Sequence, residues 1–261
     1  MIFETLHDSA QRGELLLTGQ RMTLEFKGWV RTSLIDFPGH IATVFFTGGC
    51  NFRCPMCHNA DLVLRPGDLP ALPDAEIGTF LEKRVGKVTG VVITGGEPTL
   101  QPDLPDFLRR VRALGYAVKL DTNGYRPDAL AALLEASLLD YVAIDIKAPP
   151  EKYAPLAGLP NLDVARIEQS LTRLSSDGVP YELRTTIVPG LLDVADIEAI
   201  ARWLVPTADR RSPTAWYLQQ FRGLNTLDPA LADRAPYAMD TLHAMADRAR
   251  QWLPCVEVRG G

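Results

Sequence analysis

The stretch that decides the fold comprises residues 41–59 and reads IATVFFTGGCNFRCPMCHN. Its β-rich apolar beginning predicts a buried strand over residues 41–47. Gly48 and Gly49 end this run, and Cys50, Cys54 and Cys57 follow directly. The stretch therefore predicts a strand whose carboxyl end carries a loop of three thiols.

The alternation of strand and helix continues from this stretch to the C-terminus. Further strands are predicted at 88–94, 116–121, 141–147, 180–188, 214–221 and 255–259. Helices are predicted at 74–85, 103–114, from Pro127 onward, 163–175, 193–204 and 236–253. Strands that alternate with helices predict a parallel sheet with right-handed crossovers. The periodicity fits an open doubly wound sheet and an incomplete barrel equally well.

Polar residues follow the predicted strands at their carboxyl ends. In parallel sheets and barrels these ends face one mouth, where ligands bind. The residues selected at this rim are Gly95, Gly96, Glu97, Asp121, Thr122, Asp145, Lys147 and Arg184. We therefore expect one site at the mouth, beside the cysteine loop.

The composition is that of a folded protein of ordinary charge. The chain has 261 residues, of which 46% are hydrophobic and 23% charged, and its net charge is −5. This balance offers no electrostatic footprint for nucleic acid or for an anionic membrane surface. No apolar run is long enough to cross a bilayer, and the N-terminus lacks the pattern of a secretory signal. We expect a cytoplasmic protein with no membrane or nucleic-acid partner.

Glycines and prolines are dispersed along the chain, and no internal repeat or linker divides it. We therefore predict a single domain over residues 23–261. Residues 1–22 precede the recognisable pattern and are predicted to be an N-terminal extension of unknown role.

The spacing CxxxCxxC can place three thiolates around one metal centre, and sulfur selects zinc, copper(I) or an iron–sulfur cluster. A structural zinc site needs four ligands, and the candidates for the fourth are His58 and Cys255. His58 adjoins Cys57 and is therefore poorly placed to bind the same ion. Cys255 begins the last predicted strand, at the opposite end of the sheet from the loop. Three cysteines suit a [4Fe–4S] cluster in which one iron keeps open positions for a small molecule.

Two motifs carry a resemblance to a known family. The run from Cys50 to Asn59, followed by Gly95-Gly96-Glu97-Pro98, resembles the radical S-adenosylmethionine (radical SAM) superfamily. The segment from Lys27 through Phe37-Pro38-Gly39 is similar to anaerobic ribonucleoside-triphosphate reductase activating proteins, and more broadly to glycyl-radical-enzyme activases. The resemblance implies an α/β fold, a partial (β/α)6 TIM-like barrel of the radical SAM type.

The resemblance also implies the chemistry. Cys50, Cys54 and Cys57 would bind a [4Fe–4S] cluster, and the amino and carboxylate groups of S-adenosylmethionine would chelate the remaining iron. One electron would split the sulfonium bond to give methionine and a 5′-deoxyadenosyl radical, which would generate a glycyl radical on a partner such as anaerobic ribonucleotide reductase. A low-potential donor such as flavodoxin or ferredoxin would supply the electron.

Each rim residue then has an expected task. The backbone carbonyls of Gly95 and Gly96 suit a cationic amino group, and Glu97 can add charge or fold back to hold the turn. The alternative for these residues is a plain turn that joins a strand to a helix. Lys147 and Arg184 can hold the cofactor carboxylate, or they can form ordinary salt bridges at the rim.

Asp121, Thr122 and Asp145 match an Asp-Thr-Asn-Gly and an Asp-x-Lys segment of the glycyl-radical activases. The resemblance implies contacts from these residues to the cofactor and allows a bound monovalent cation, for which oxygen donors are suitable. The alternatives are a helix cap for Asp121 and an ion pair between Asp145 and Lys147. Met56 departs from the family, which usually has an aromatic residue there, but its thioether can pack against an adenine ring.

Two other functions remain compatible with these residues. The same radical chemistry can act on a small metabolite, a peptide or an RNA base. A zinc-stabilised binding module without catalysis belongs to another class. Iron content distinguishes the zinc-stabilised module from both radical enzymes, since only a [4Fe–4S] cluster would give a content of about four irons per chain.

Overall fold

A computed structural model describes residues 24–206 and 215–260 of the chain. The described part contains one eight-stranded sheet. Its strands are β1 (Phe26–Ser33), β2 (Ala42–Thr47), β3 (Gly90–Gly95), β4 (Ala117–Thr122), β5 (Tyr141–Asp145), β6 (Tyr181–Ile187), β7 (Ala215–Gln220) and β8 (Val256–Arg259). The predicted extension over residues 1–22 lies outside the described residues.

The strands follow one another across the sheet in chain order, from β1 to β8. β1 is antiparallel to β2, and all later neighbours are parallel. A doubly wound sheet would reverse its strand order at a switch point, and no reversal occurs among these strands. The sheet is therefore wound in one direction as a partial barrel, with β1 and β8 as its edges. The prediction of an α/β, TIM-like partial barrel is confirmed.

Eight α-helices accompany the strands in the described part of the chain. They are α1 (Ala60–Leu64), α2 (Asp74–Arg84), α3 (Leu104–Ala113), α4 (Pro127–Glu135), α5 (Pro150–Ala157), α6 (Ala165–Asp177), α7 (Val194–Leu204) and α8 (Met239–Ala249). Local chemistry explains where α7 begins. α7 begins with a capping box, in which Asp193 accepts from the backbone of Asp196 and the Asp196 side chain accepts from the backbone of Asp193, so donors of the first turn are satisfied.

Besides the short helix α1, two elements of the structure are absent from the sequence prediction. The first is β1, whose sequence FKGWVRTS has no clean alternation. The second is α5, which follows Pro149 and contains Pro150 and Pro155. Prolines usually mark a loop, but Pro150 occupies the first helical turn, where a missing amide hydrogen is tolerated. α5 matters for the site because its end contacts the cysteine loop.

The hydrophobic core includes an aromatic cluster that joins the first strands to a helix. Phe26 of β1 lies with its ring centroid 4.9 Å from Phe45 of β2 and 4.8 Å from Phe107 of α3. All three side chains are fully or almost fully buried. Other side chains of the sheet are charged although they are buried, notably Lys119 of β4 and Glu182 of β6. These buried charges lie beside the site described below.

No helix among the described residues is both long enough and apolar enough to span a membrane.

Candidate functional site

A cavity of about 270 Å³ opens at the carboxyl ends of the parallel strands. All of the site residues predicted from the sequence line it: Cys50, Cys54, Met56, Cys57, Gly95, Gly96, Glu97, Asp121, Thr122, Asp145, Lys147 and Arg184. Cys255 does not line it. Its carbonyl accepts from Trp216 at the start of β7, which is the amino end of the sheet, as the sequence predicted.

The cysteine loop is held in place by backbone hydrogen bonds to distant segments. The amide of Arg53 donates to the carbonyl of Ala157 at the end of α5, over 2.7 Å. The carbonyl of Cys57 accepts from the amide of Leu227 (3.0 Å), and that of Pro55 accepts from the amide of Asp228 (2.9 Å). The loop is therefore supported on two sides before any metal binds.

Burial disfavours the ionised form of two of the three thiols. Burial raises the pKa of Cys50 to about 12 and that of Cys54 to about 11, so binding of a metal must displace protons. The amide of Phe52 donates to Cys50 Sγ over 3.3 Å. Among the described residues, no three His, Cys, Asp or Glu side chains are close enough together to hold a single metal ion.

Asn51, next to Cys50, was not singled out from the sequence. Its Oδ1 accepts from Asn123 Nδ2 over 2.8 Å, while its own Nδ2 is buried without a partner. A buried amide donor is costly to leave unpaired, and cluster sulfurs accept hydrogen bonds that tune an iron–sulfur centre. Three soft sulfur ligands and an adjacent unpaired donor therefore fit a [4Fe–4S] cluster.

Gly95 and Gly96 are required by a close approach of backbones. A Cβ at Gly95, where φ is +123°, would lie 2.3 Å from the amide nitrogen of Thr47, and a Cβ at Gly96 would lie 1.9 Å from the carbonyl oxygen of Gly49. The end of β3 thus packs directly against the start of the cysteine loop. This packing accounts for both glycines and places their backbone at the cavity.

Glu97 folds back into the protein. It is 1% exposed, and its Oε1 accepts from the hydroxyl of Thr122 over 2.7 Å and from the amide of Thr99 over 3.1 Å. Its Oε2 accepts from the amide of Asn123 over 2.8 Å. Burial raises the pKa of Glu97, although these hydrogen bonds oppose it. Of the two predicted tasks, the carboxylate performs the second, because it ties the turn after β3 to the end of β4.

Charged side chains on β4, β6 and the end of β5 meet at one side of the cavity. Arg184 Nη1 donates to Asp121 Oδ2 over 3.1 Å, and Arg184 Nε donates to Asp145 Oδ1 over 2.8 Å. Lys147 Nζ donates to Asp145 Oδ2 over 3.1 Å, which is the ion pair offered above as an alternative. Burial alone would raise the pKa of Asp145, but Arg184 and Lys147 hold it below its usual range.

Lys119 is a second residue that the sequence analysis missed. It is 2% exposed, and its Nζ lies 3.1 Å from Asp121 Oδ1 and 3.6 Å from Glu182 Oε1. A signal was available, since Lys119 stands two residues before Asp121 and therefore faces the same side of β4.

His58, a candidate fourth metal ligand in the sequence, has a different partner. Its Nε2 lies 2.6 Å from the carbonyl oxygen of Arg222, which is a hydrogen-bonding position rather than that of a fourth ligand.

The barrel, the three-cysteine loop and the glycine turn define a class of enzyme. Residues 44–204 match the model of the Radical SAM superfamily, so the chain belongs to that superfamily. The family implies a [4Fe–4S] cluster and S-adenosylmethionine.

Several proteins are similar to this chain. A protein of Methanocaldococcus jannaschii, provisionally named a glycyl-radical enzyme activating enzyme, is 30% identical over 242 residues, covering 89% of this chain and 94% of the relative. A pyruvate formate-lyase-activating enzyme of Clostridium pasteurianum is 32% identical, covering 61% of this chain and 67% of the relative. A protein of Pyrobaculum aerophilum, provisionally named a GTP 3′,8-cyclase, is 29% identical, covering 54% of this chain and 46% of the relative.

Among solved structures, Streptococcus suis SuiB bound to its precursor peptide SuiA has a similar fold, with a TM-score of 0.64 and 13% identity. The match covers 83% of this chain and 48% of that one. At this identity the likeness concerns the fold alone.

Proposed function

We propose that this chain is an activating enzyme that generates a glycyl radical on a partner enzyme. The observation that carries the proposal is the match to the Methanocaldococcus jannaschii protein, which extends over 89% of this chain and 94% of that relative. The similarity is thus not limited to the cysteine loop that all members of a superfamily share. Anaerobic ribonucleotide reductase is the partner we consider first, because of the resemblance from Lys27 through Asn59.

In this proposal the three thiols of Cys50, Cys54 and Cys57 hold the cluster, and S-adenosylmethionine occupies the rest of the cavity. When bound and reduced by one electron, the cluster and S-adenosylmethionine would supply methionine and a 5′-deoxyadenosyl radical, which would take one hydrogen atom from the α-carbon of the partner's glycine and become 5′-deoxyadenosine. A low-potential flavodoxin or ferredoxin supplies the electron. The chain's own contribution is to bind and orient the cofactor and to admit the glycine.

The rim residues divide this work. Gly95, Gly96 and Thr122 line the cavity, and the carbonyls of the two glycines would accept hydrogen bonds from the amino group of the cofactor. Lys147 is the residue proposed to bind the carboxylate of the cofactor. The Lys147 side chain lines the cavity, is 23% exposed and forms an ion pair with Asp145. Met56 is buried at the cavity wall, 7% exposed, where its thioether suits the adenine ring.

A second candidate is the same chemistry on a small molecule. It is favoured by the similarity to a GTP 3′,8-cyclase of Pyrobaculum aerophilum, but that match covers only 54% of this chain and 46% of the relative. More than half of that relative lies outside the region that matches this chain. We therefore prefer a protein substrate.

The test uses the full chain, reconstituted anaerobically with iron and sulfide. Reduced protein is mixed with S-adenosylmethionine and an anaerobic ribonucleotide reductase, and electron paramagnetic resonance is recorded. We expect a doublet that collapses to a singlet when the partner's glycines carry deuterium at the α-carbon. The Cys54→Ser variant is the matched control and should give no signal. Efficient cleavage of the cofactor without a radical on any candidate glycyl-radical enzyme would contradict the proposal and favour a small-molecule substrate.

A further inference from the structure

Five charged side chains of alternating sign form a chain beside the cavity. In spatial order they are Lys119, Asp121, Arg184, Asp145 and Lys147. Each consecutive pair is separated by 2.8 to 3.1 Å between nitrogen and oxygen. Three cations and two anions leave a net charge of +1, and Arg184 stands at the centre.

We propose that the Arg184 guanidinium is the built-in counter-cation of Asp121 and Asp145, so that S-adenosylmethionine binds without an inorganic cation. Arg184 is then a positioning residue, which acts on the cofactor through these two carboxylates. The inference rests on the proposed placement of the cofactor in this cavity. It also revises the expectation of a bound monovalent cation.

The first support is the occupancy of the carboxylate oxygens. Asp145 faces Arg184 Nε through Oδ1 and Lys147 Nζ through Oδ2. Asp121 Oδ2 accepts from Arg184 Nη1, and Asp121 Oδ1 lies 3.1 Å from Lys119 Nζ. Hard cations need several oxygen ligands that are free to turn toward the ion. Here three of the four oxygens accept a hydrogen bond from a protein cation, and the fourth, Asp121 Oδ1, lies 3.1 Å from Lys119 Nζ without a hydrogen bond. At most one oxygen is left for an inorganic ion, so these residues fit such an ion poorly.

The second support is the anchoring of Arg184 from behind. Its side chain is 14% exposed, and its Nη1 lies 3.9 Å from Oε1 of Glu182, whose side chain is fully buried. Glu182 accepts from Arg259 through both oxygens and from the Tyr141 hydroxyl. Burial alone would lower the pKa of Arg184, but the surrounding carboxylates raise it. The guanidinium is therefore permanently charged and held in one position.

The third support is geometric. Asp145 and Arg184 are directly opposite each other in the register of β5 and β6, and Asp121 lies on β4, the neighbour of β5 on its other side. A planar fork with donors in several directions can bridge two carboxylates across neighbouring strands, which the point charge of an ammonium does less well. The arrangement leaves Lys147 at the open end of the chain of charges, where its remaining donors are available to a cofactor carboxylate.

The test measures binding of S-adenosylmethionine to the cluster-loaded protein by equilibrium dialysis. Media contain potassium chloride or choline chloride at equal ionic strength. We expect the Kd of the wild type to differ by less than about twofold between the two media. A strengthening of about tenfold or more on exchange of choline for potassium would overturn the proposal, since it would demonstrate a need for the inorganic ion.

Two variants separate the counter-cation role from a direct contact. Arg184→Met should bind the cofactor about tenfold or more weakly in choline, because charged hydrogen bonds are lost, and potassium should restore much of this loss. Arg184→Lys keeps the charge and should respond to potassium far less than Arg184→Met. Weak binding by Arg184→Met that potassium does not restore would assign Arg184 to the cofactor carboxylate itself and overturn the proposal. Unchanged binding by Arg184→Met in choline would overturn it as well.

If Arg184→Met does not fold or does not hold its iron, the wild type decides alone, because potassium dependence of its cofactor binding contradicts the proposal. Failure of the proposed function gives different experimental results from failure of this inference. In that case the wild type binds no S-adenosylmethionine in either medium, or it binds and cleaves the cofactor without forming a radical on a partner. Potassium-dependent binding with a normal glycyl radical overturns this inference alone.

Discussion

A methyl group added at Gly96 tests the packing of the turn after β3 against the cysteine loop. The new Cβ would lie 1.9 Å from the carbonyl oxygen of Gly49, whereas ordinary contacts begin at 3.4 Å. The two backbones must therefore separate by about 1.5 Å if the contact is to become an ordinary one. The obstacle is backbone, so rotation of a side chain cannot relieve it.

The cost follows from the contacts at this place. Overpacking costs about 1–3 kcal/mol. Separation also weakens the hydrogen bond from the Glu97 amide to the Gly49 carbonyl, 2.8 Å long, which is worth about 0.5–1.5 kcal/mol. We expect Gly96→Ala to lower the free energy of unfolding by about 2–4 kcal/mol. Because Cys50 adjoins Gly49, reconstituted iron should also decrease.

The measurements are urea unfolding of the apoprotein and iron content after anaerobic reconstitution. Gly28→Ala is the matched control, since nothing lies within 4 Å of a Cβ at that position. Its stability should change by less than about 1 kcal/mol. If Gly96→Ala unfolds at the urea midpoint of Gly28→Ala and holds the same iron, the close approach is not a constraint and the account of this turn is wrong.

Three further predictions concern the ligands and charges of the site. Cys255→Ser should retain about four irons per chain, whereas Cys54→Ser should lose the cluster; iron and sulfide analysis decides, and equal loss in both would place Cys255 among the ligands. Lys147→Met should weaken S-adenosylmethionine binding about tenfold or more with the cluster intact. An unchanged Kd in equilibrium dialysis would show that Lys147 does not bind the carboxylate of the cofactor. Burial opposes ionisation of Asp145, but Arg184 and Lys147 outweigh burial and lower the pKa of its carboxyl. The contribution of ionised Asp145 to the free energy of unfolding is therefore complete above the unfolded pKa of about 3.9 and is lost as the pH falls through the pKa of the folded state. The difference in unfolding free energy between wild-type and Asp145→Asn apoprotein should therefore be constant between about pH 7 and about pH 5 and narrow progressively as the pH falls below about 4. A difference that stays constant down to about pH 3 would contradict the prediction.

The elements and ligands that could be predicted from the sequence are those encoded locally. The spacing of Cys50, Cys54 and Cys57 is a property of one short loop. Strand and helix positions follow from periodicity, and predicted strands such as 141–147 agree with β5 in their first residue. The rim could be predicted because parallel strands bring their carboxyl ends together. For that reason every predicted site residue lines one cavity.

Other features depend on partners that are distant in the chain. β1 has a weak pattern of its own and exists as a strand because it pairs with β2. α5 contains prolines that suggest a loop, yet it forms a helix whose end binds the amide of Arg53. The fold-back of Glu97 requires donors from Thr122 and Asn123, which only the neighbouring strand supplies.

The sequence by itself determined the family chemistry: three thiols on one loop, a glycine turn and a rim of charged residues. Periodicity left a doubly wound sheet and a partial barrel open, and the family resemblance favoured the barrel. The strand order of the tertiary structure confirms the barrel, because strand order is a property of the whole sheet and not of any segment. Only the tertiary structure decided which charges neutralise one another. Arg184 lies between Asp121 and Asp145 because β4, β5 and β6 are adjacent, and electrostatic pairing depends on separation in space, which the spacing of residues along the chain does not specify.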